Sequence, residues 1–183
     1  MAPFSHCLTG ESKGGLLNVL LSNCEVSQAF DPKVNTAHPT ANTFTAIWDT
    51  GATNSVITQN VVDRCGLHPI TMTMVTGVHG AEMAEVYLIS LKLPNNVDFV
   101  PLRVTGGKFI GGDVLIGMDI INQGDFAVSN YSGLTVFTFR HPSEARIDFV
   151  QEAKHKAQQS FQHGGKKHKR PKRHKTYGKN KHR

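Results

Sequence analysis

Cysteine is scarce in this chain: three in 183 residues, Cys7, Cys24 and Cys65. An odd count at irregular spacing excludes a disulfide framework, and such usage fits a reducing compartment. Long apolar runs are missing too. The longest, residues 16–21, is interrupted by Asn18 and falls far short of the roughly 20 residues that span a bilayer. The first residues carry no basic stretch leading into an apolar one, so no secretory signal is expected. These absences predict a soluble, cytoplasmic protein with no membrane partner. No Ser/His/Asp or Cys/His set has the spacing of a nucleophilic site, and no glycine-rich phosphate loop occurs. The histidines near the end, among them His163, His168, His174 and His182, are spaced irregularly. No cofactor and no metal site are therefore expected. Acidic residues also vanish from one region. Residues 1–150 hold 8 Lys and Arg against 13 Asp and Glu, a net charge of −5. Residues 151–183 hold 12 Lys and Arg against the single acid Glu152, a net charge of +11. The chain reads as a mildly acidic body with a basic tail.

What the body does contain is short, apolar, partly β-branched segments between turn residues. Strands are expected over residues 16–26, 43–48 and 56–57, with a Pro- and Asn-rich loop at 31–42. A short helix is expected at 58–65, with Thr58 capping its start and Gly66 ending it. Residues 71–75 and 85–93 flank a glycine-containing turn and read as a hairpin, in which Tyr87, Ile89, Leu91 and Leu93 share one face. Residues 97–104 read as a further strand, which Pro101 places at an edge. A near-continuous apolar run follows at 113–121, then a second hairpin over 126–130 and 134–139. About eight strands and little helix predict an all-β fold closed into a barrel. Beyond it, residues 143–161 read as a helix capped by Ser143. Past Gly164 nothing apolar is left to bury, so disorder is expected there. The predicted organisation is a domain at 1–142, a helical extension at 143–163 and a basic tail at 164–183. That tail suits RNA, DNA or another anionic partner through counterion release, or merely keeps the protein in solution.

The segment with chemical content is Ile47-Trp48-Asp49-Thr50-Gly51-Ala52. An aspartate ends an apolar strand, a tight turn follows, and apolar residues resume at Val56. Carboxylates alone can hydrolyse an amide when two of them share one proton and hold a water between them: one takes a proton from the water while the other gives one to the carbonyl oxygen. Two carboxyl groups about 3 Å apart cannot both ionise. Gly51 permits the tight turn and a close approach of the two chains. Thr50 can hydrogen-bond across a symmetric contact, and Ala52 leaves room for substrate. The plain alternative is a turn, because Asp, Thr and Gly all favour turns.

Two further segments lie downstream: Val75-Thr76-Gly77-Val78-His79-Gly80, and Val114-Leu115-Ile116-Gly117-Met118-Asp119-Ile120-Ile121. In this order the three segments resemble the retropepsin family, the retroviral-type aspartic proteases and their bacterial relatives. The first resembles the family's active-site loop, the second its flap tip, and the third the Gly-x-Asp segment before a short helix. The resemblance spans roughly residues 15–140. It implies a closed retropepsin-like β-barrel and an aspartic endopeptidase that acts on peptide or protein substrates. It implies a homodimer in which each subunit supplies Asp49, since no second Asp-Thr-Gly or Asp-Ser-Gly occurs. It also implies a flap, Val75 to Gly80, that folds over the bound peptide, with Gly117 and Asp119 in structural support. Viral members carry Arg where Met118 stands here, paired to an acid just past the active-site loop; neither partner of that pair is present. A protease-like module that no longer cleaves, recruited to nucleic acid by the tail, is the alternative.

Overall fold

A computed structural model describes residues 6–31, 33, 34, 38–77 and 80–164. Residues 1–146 and 147–183 form two separate units. The first is built from ten strands: β1 Cys7–Glu11, β2 Leu20–Gln28, β3 Asn42–Trp48, β4 Val56–Ile57, β5 Thr71–Gly77, β6 Gly80–Leu93, β7 Val97–Gly106, β8 Val114–Ile116, β9 Asp125–Ser129 and β10 Val136–Arg140. Two short helices interrupt them, α1 Gln59–Cys65 and α2 Met118–Ile121. The second unit contains α3, Phe149–Gly164. The expected basic tail beyond Gly164 lies outside the described residues. None of the described helices is long and apolar enough to cross a membrane.

Six strands close on themselves. The order β2-β3-β8-β4-β7-β6 is completed by pairing of β6 back to β2, where Val26 faces Leu91 and Gln28 faces Ile89. This is the expected closed barrel, and its interior is the core. Alternation along β3 sends Phe44, Ala46 and Trp48 inward, as the two-residue period of a strand requires. Tyr87, Ile89, Leu91 and Leu93 of β6 are all buried. A separate three-stranded sheet, β1-β10-β9, leans its aromatic residues on the barrel. Phe126 stacks on Trp48 with centroids 5.4 Å apart, and Phe139 lies 5.1 Å from the same ring. Trp48 also donates its indole N–H to Ser22 Oγ at 3.0 Å, so the polar edge of the ring is satisfied within the core.

The structure departs from the sequence reading at several elements. Strand β7 lies between β6 and β4, but β4 pairs only with its end, Thr105 and Gly106, so Pro101 stands on a stretch open on one side. It is tolerated because the register shifts there, with Ile89 opposite Leu102 but Leu91 opposite Phe99. At such a bulge no ladder hydrogen bond is lost. Helix α1 begins after Thr58 and ends in left-handed Gly66 as expected. Thr58 supplies only its extended backbone, however: its hydroxyl makes no cap bond and is buried without a partner. Ser143 caps nothing either. Its hydroxyl donates to the Asp125 carboxylate, and α3 starts six residues later, where the Asp148 carboxylate accepts the Gln151 amide at 3.0 Å. Strand β1 was not expected at all.

Candidate active site

Asp49 emerges from the end of β3 and is half-buried. Strand pairing carries the chain to this point, with Trp48 held between Leu20 of β2 and Ile116 of β8. The Asp49 amide then donates to the Ile116 carbonyl at 3.0 Å. One step later the chain turns, and the Gly51 amide donates to Asp49 Oδ1 at 2.8 Å. A Cβ on residue 51 would sit 3.1 Å from that same oxygen. The turn therefore fixes the rotation of the carboxylate with the backbone, without spending a side chain on it. Thr50 is exposed and Ala52 is half-buried.

A second segment locks the loop from behind. The amides of Met118 and Asp119 donate to the carbonyls of Ala52 and Thr53 at 2.8 and 3.2 Å. The Asp119 carboxylate accepts the Ser55 amide at 2.9 Å and the Ser55 hydroxyl at 2.7 Å. Ser55 Oγ in turn accepts the Gly117 amide at 3.1 Å. Ser55 is wholly buried, so these bonds form away from water, where an unmade one is costly. Gly117 has no freedom to be anything else. A Cβ there would lie 2.6 and 2.7 Å from the backbone of Asn54 and 3.0 Å from the Ala52 carbonyl. The two segments pass at backbone contact, and Asp119 spends its carboxylate on bracing the loop.

The sequence-derived residues thus fall into two groups. Asp49, Thr50, Gly51, Ala52, Gly117 and Asp119 are brought together. Val75, Thr76 and Gly77 end β5 and Gly80 begins β6, in an arm that pairs Gly77 with Gly80; Val78 and His79 lie outside the described residues. Gly80 takes φ +114°, a conformation that glycine alone adopts without strain. No hydrogen bond among the described residues joins this arm to the Asp49 loop. Ser55 is the residue that sequence reasoning missed. Between Asn54 and Val56 it looks like one more turn residue, and only its burial reveals it. Where the retroviral pattern would place an Arg–acid pair, Met118 instead contributes its amide, and bracing runs inside the chain through Ser55 and Asp119.

Two of the three thiols are held protonated by burial. Burial pushes the Cys24 thiol up to about 12, and burial also raises that of Cys65, so both stay protonated near neutral pH. An exposed apolar tract near the site runs through the segment that leads into β2. Leu16 is 60% exposed, Val19 47% and Leu21 44%. Val19 stands one residue beyond the Leu20–Trp48 pair, at the level of Asp49, and Leu21 pairs with Ile47.

Comparisons with known proteins add a family. Among curated proteins none matches the chain. Among solved structures, a retropepsin-like aspartic protease from Rickettsia conorii is 14% identical with a TM-score of 0.45, over 74% of this chain and 95% of that one. The retroviral protease-like domain of Ddi1 from Leishmania major is 17% identical with a TM-score of 0.42, over 72% and 99%. The protease of simian foamy virus is 17% identical with a TM-score of 0.38, over 56% and 92%. Residues 37–123, which hold the Asp49 loop, the arm and the Gly117–Asp119 brace, match the family model described as "gag-polyprotein putative aspartyl protease". By that match residues 37–123 are similar to a family of aspartyl proteases, and they sit in a body whose strands close into a six-stranded barrel.

Proposed function

We propose that the chain is an aspartic endopeptidase that cleaves peptide bonds as a homodimer, with Asp49 of each subunit as the catalytic residue. The observation that carries this reading is the Asp49 loop. Its carboxylate is half-exposed, oriented by the Gly51 amide at 2.8 Å and anchored by Asp119 through Ser55. That is a large investment of backbone and buried hydrogen bonds in the position of one acid. A single carboxylate cannot act as base and acid at once, and the chain has one Asp-Thr-Gly. A second copy related by a two-fold axis supplies the other. The exposed apolar tract at Leu16, Val19 and Leu21 is the kind of surface such a contact covers.

In the reaction, a water rests between the two carboxyl groups, which share one proton. The ionised carboxylate takes a proton from the water as its oxygen attacks the peptide carbonyl carbon. The protonated carboxyl gives its proton to the carbonyl oxygen. The tetrahedral intermediate then collapses: the C–N bond breaks, the nitrogen receives a proton from the acid that took the first, the other carboxylate takes a proton back from one diol hydroxyl, and a new carboxylic acid leaves with the amine. The residues Val75 to Gly80 close over the substrate as a flap in this reading, and the exposed Thr50 hydroxyl meets the partner's loop.

The test is an Asp49→Asn chain on a peptide library at mildly acidic pH. Cleavage is expected to fall by about 10²–10⁴-fold or more, with circular dichroism and sedimentation unchanged. Unimpaired cleavage by Asp49→Asn, or full activity from a strictly monomeric chain, sinks the proposal.

A further inference from the structure

Methionine is spread unevenly over the chain. Of five, three stand on one face of the β5–β6 arm: Met72, Met74 and Met83. The register places them there. Met74 lies directly opposite Met83, and Met72 precedes Met74 by two residues on the same strand, so the pleat sends all three side chains to one side. They are 56%, 68% and 56% exposed, whereas Met118 packs against the core. Alternation along β6 carries the same face from Met83 through Glu85 to the buried Tyr87 and Ile89. The thioethers therefore line the outward continuation of the barrel's inner face. Cβ atoms directly opposite on a ribbon stand about 5 Å apart and diagonal ones about 7–8 Å, and residues two apart on one strand about 7 Å. Three unbranched side chains with three rotatable bonds each can bring their sulfurs together above a triangle of that size. The surroundings favour a cation. Residues 71–91 contain no Lys or Arg, Glu85 stands opposite Met72 on the same face, and Glu82 lies on the other face of the arm.

We propose that Met72, Met74 and Met83 form a three-coordinate site for a soft monovalent cation, Cu(I) or its analogue Ag(I). Among the described residues no group of His, Cys, Asp and Glu could hold a metal ion, and thioethers differ from all of those ligands. They are neutral, soft donors that suit Cu(I), and they have no proton to lose before they bind. The plain alternative is an adaptable apolar contact surface, which exposed methionines also serve. That alternative does not call for sulfur. Yet the other exposed positions of the face are Thr76, Ala81 and Glu85, so no branched or aromatic side chain shares it until Tyr87. An ion held by Met72 and Met74 of β5 and Met83 of β6 ties the two strands of the arm together. For the peptidase proposed above, whose arm opens and closes over substrate, it acts as a brake; this consequence rests on that reading, and the site itself does not.

The experiment uses the full chain with Asp49→Asn, so that its outcome does not depend on catalysis. Cys7→Ser and Cys65→Ser remove the two half-buried thiols, and Cys24 stays enclosed in the core. The methionines carry 13C-labelled methyl groups, and the probe is silver nitrate. At pH 5, Ag(I) is expected to shift the methyl signals of Met72, Met74 and Met83 together, saturating at one equivalent, while Met118 stays in place. Zn(II) and Mg(II) move none of the four. The affinity is the same at pH 7, whereas an imidazole ligand, with its ordinary value near 6.5, is weakened more than about tenfold at pH 5. Met74→Leu with Met83→Leu keeps the face apolar and the circular dichroism unchanged, and it abolishes the shift of Met72. Unmoved methyl signals overturn the proposal. So do three signals that titrate separately, a Met72 shift that survives the two leucines, or the pH dependence of an imidazole. With Asp49 restored, Ag(I) is expected to lower peptide cleavage, and the two leucines to abolish that effect. Cleavage that Ag(I) leaves unchanged while the methyl signals shift overturns the brake. A chain that cleaves nothing without Ag(I) counts against the catalytic reading and leaves the methyl result standing.

Discussion

The hydroxyl of Ser55 donates to Asp119 and accepts the Gly117 amide, so its removal takes one bond from the half-buried Asp119 carboxylate and leaves the buried Gly117 amide without its partner. Ser55→Ala is expected to cost about 1–3 kcal/mol of stability, read from the urea midpoint, and to lower kcat more than it raises KM, because the Asp49 loop loses its brace. Asp125 gives a pH signature instead. The Ser143 hydroxyl first, then the Glu144 amide and the Arg140 guanidinium, hold its carboxyl well below the usual carboxylate range. A depressed folded value means that the stabilisation is complete above the unfolded value of about 3.9 and is lost as pH falls below it. Asp125→Asn should therefore lower the urea midpoint at pH 7, with the gap from the parent chain narrowing between about pH 4 and pH 2. A gap that stays constant with pH would contradict that account. Burial, and after it the bond to Glu85, pushes the Tyr87 hydroxyl up to about 12. Alkaline difference absorbance should show this one tyrosine titrating last.

Among the elements, helix α1 was legible because both of its ends are written locally: an extended Thr58 before it and a left-handed Gly66 after it. The Thr58 hydroxyl nonetheless finds no partner. Thr58→Val removes a buried, unsatisfied group at nearly constant shape and is expected to stabilise the protein by about 1 kcal/mol, measurable as a higher thermal midpoint. The β5–β6 arm was legible from two strand-like runs around a glycine turn, and the Asp49 loop from Asp-Thr-Gly between apolar flanks. Strand β1 was not, because Cys7-Leu8-Thr9-Gly10-Glu11 sends only Leu8 fully inward and its ladder partner lies at residues 136–140. No local pattern can announce a pairing over that separation. Ser143 and Asp148 illustrate the same limit: both are good capping types, and the Asp125 carboxylate, far away in sequence, claims the first. The three-stranded sheet is tied to the barrel chiefly by aromatic packing. Phe137 is buried and lies 6.1 Å from Trp48. Phe137→Ala should cost about 3–5 kcal/mol and release the sheet first, seen as early hydrogen exchange across β1 and β9.

For the molecule as a whole, the proposed sharing of one active site between two copies makes activity depend on concentration. Specific activity should fall on dilution through the dimer dissociation constant. Charges placed on the exposed tract, as in Val19→Asp with Leu21→Asp, should shift that fall to higher enzyme concentration without altering the spectrum of the folded monomer. The acidic body and basic tail were plain from composition, and so was the all-strand character of the body. Closure of the barrel by β2 and β6, and the inward bracing that replaces the Arg–acid pair, depend on pairings and burial that composition does not encode.

The pairing of Cys7–Glu11 with Val136–Arg140 also sets a schedule. During synthesis the first strand leaves the ribosome more than a hundred residues ahead of its mate. At 5–20 residues per second that is a wait on the order of ten seconds. Until then Trp48 lacks two of the rings that pack on it, Phe137 and Phe139. On the proposed reading, a newborn copy therefore stays incompetent until almost its entire body has been made.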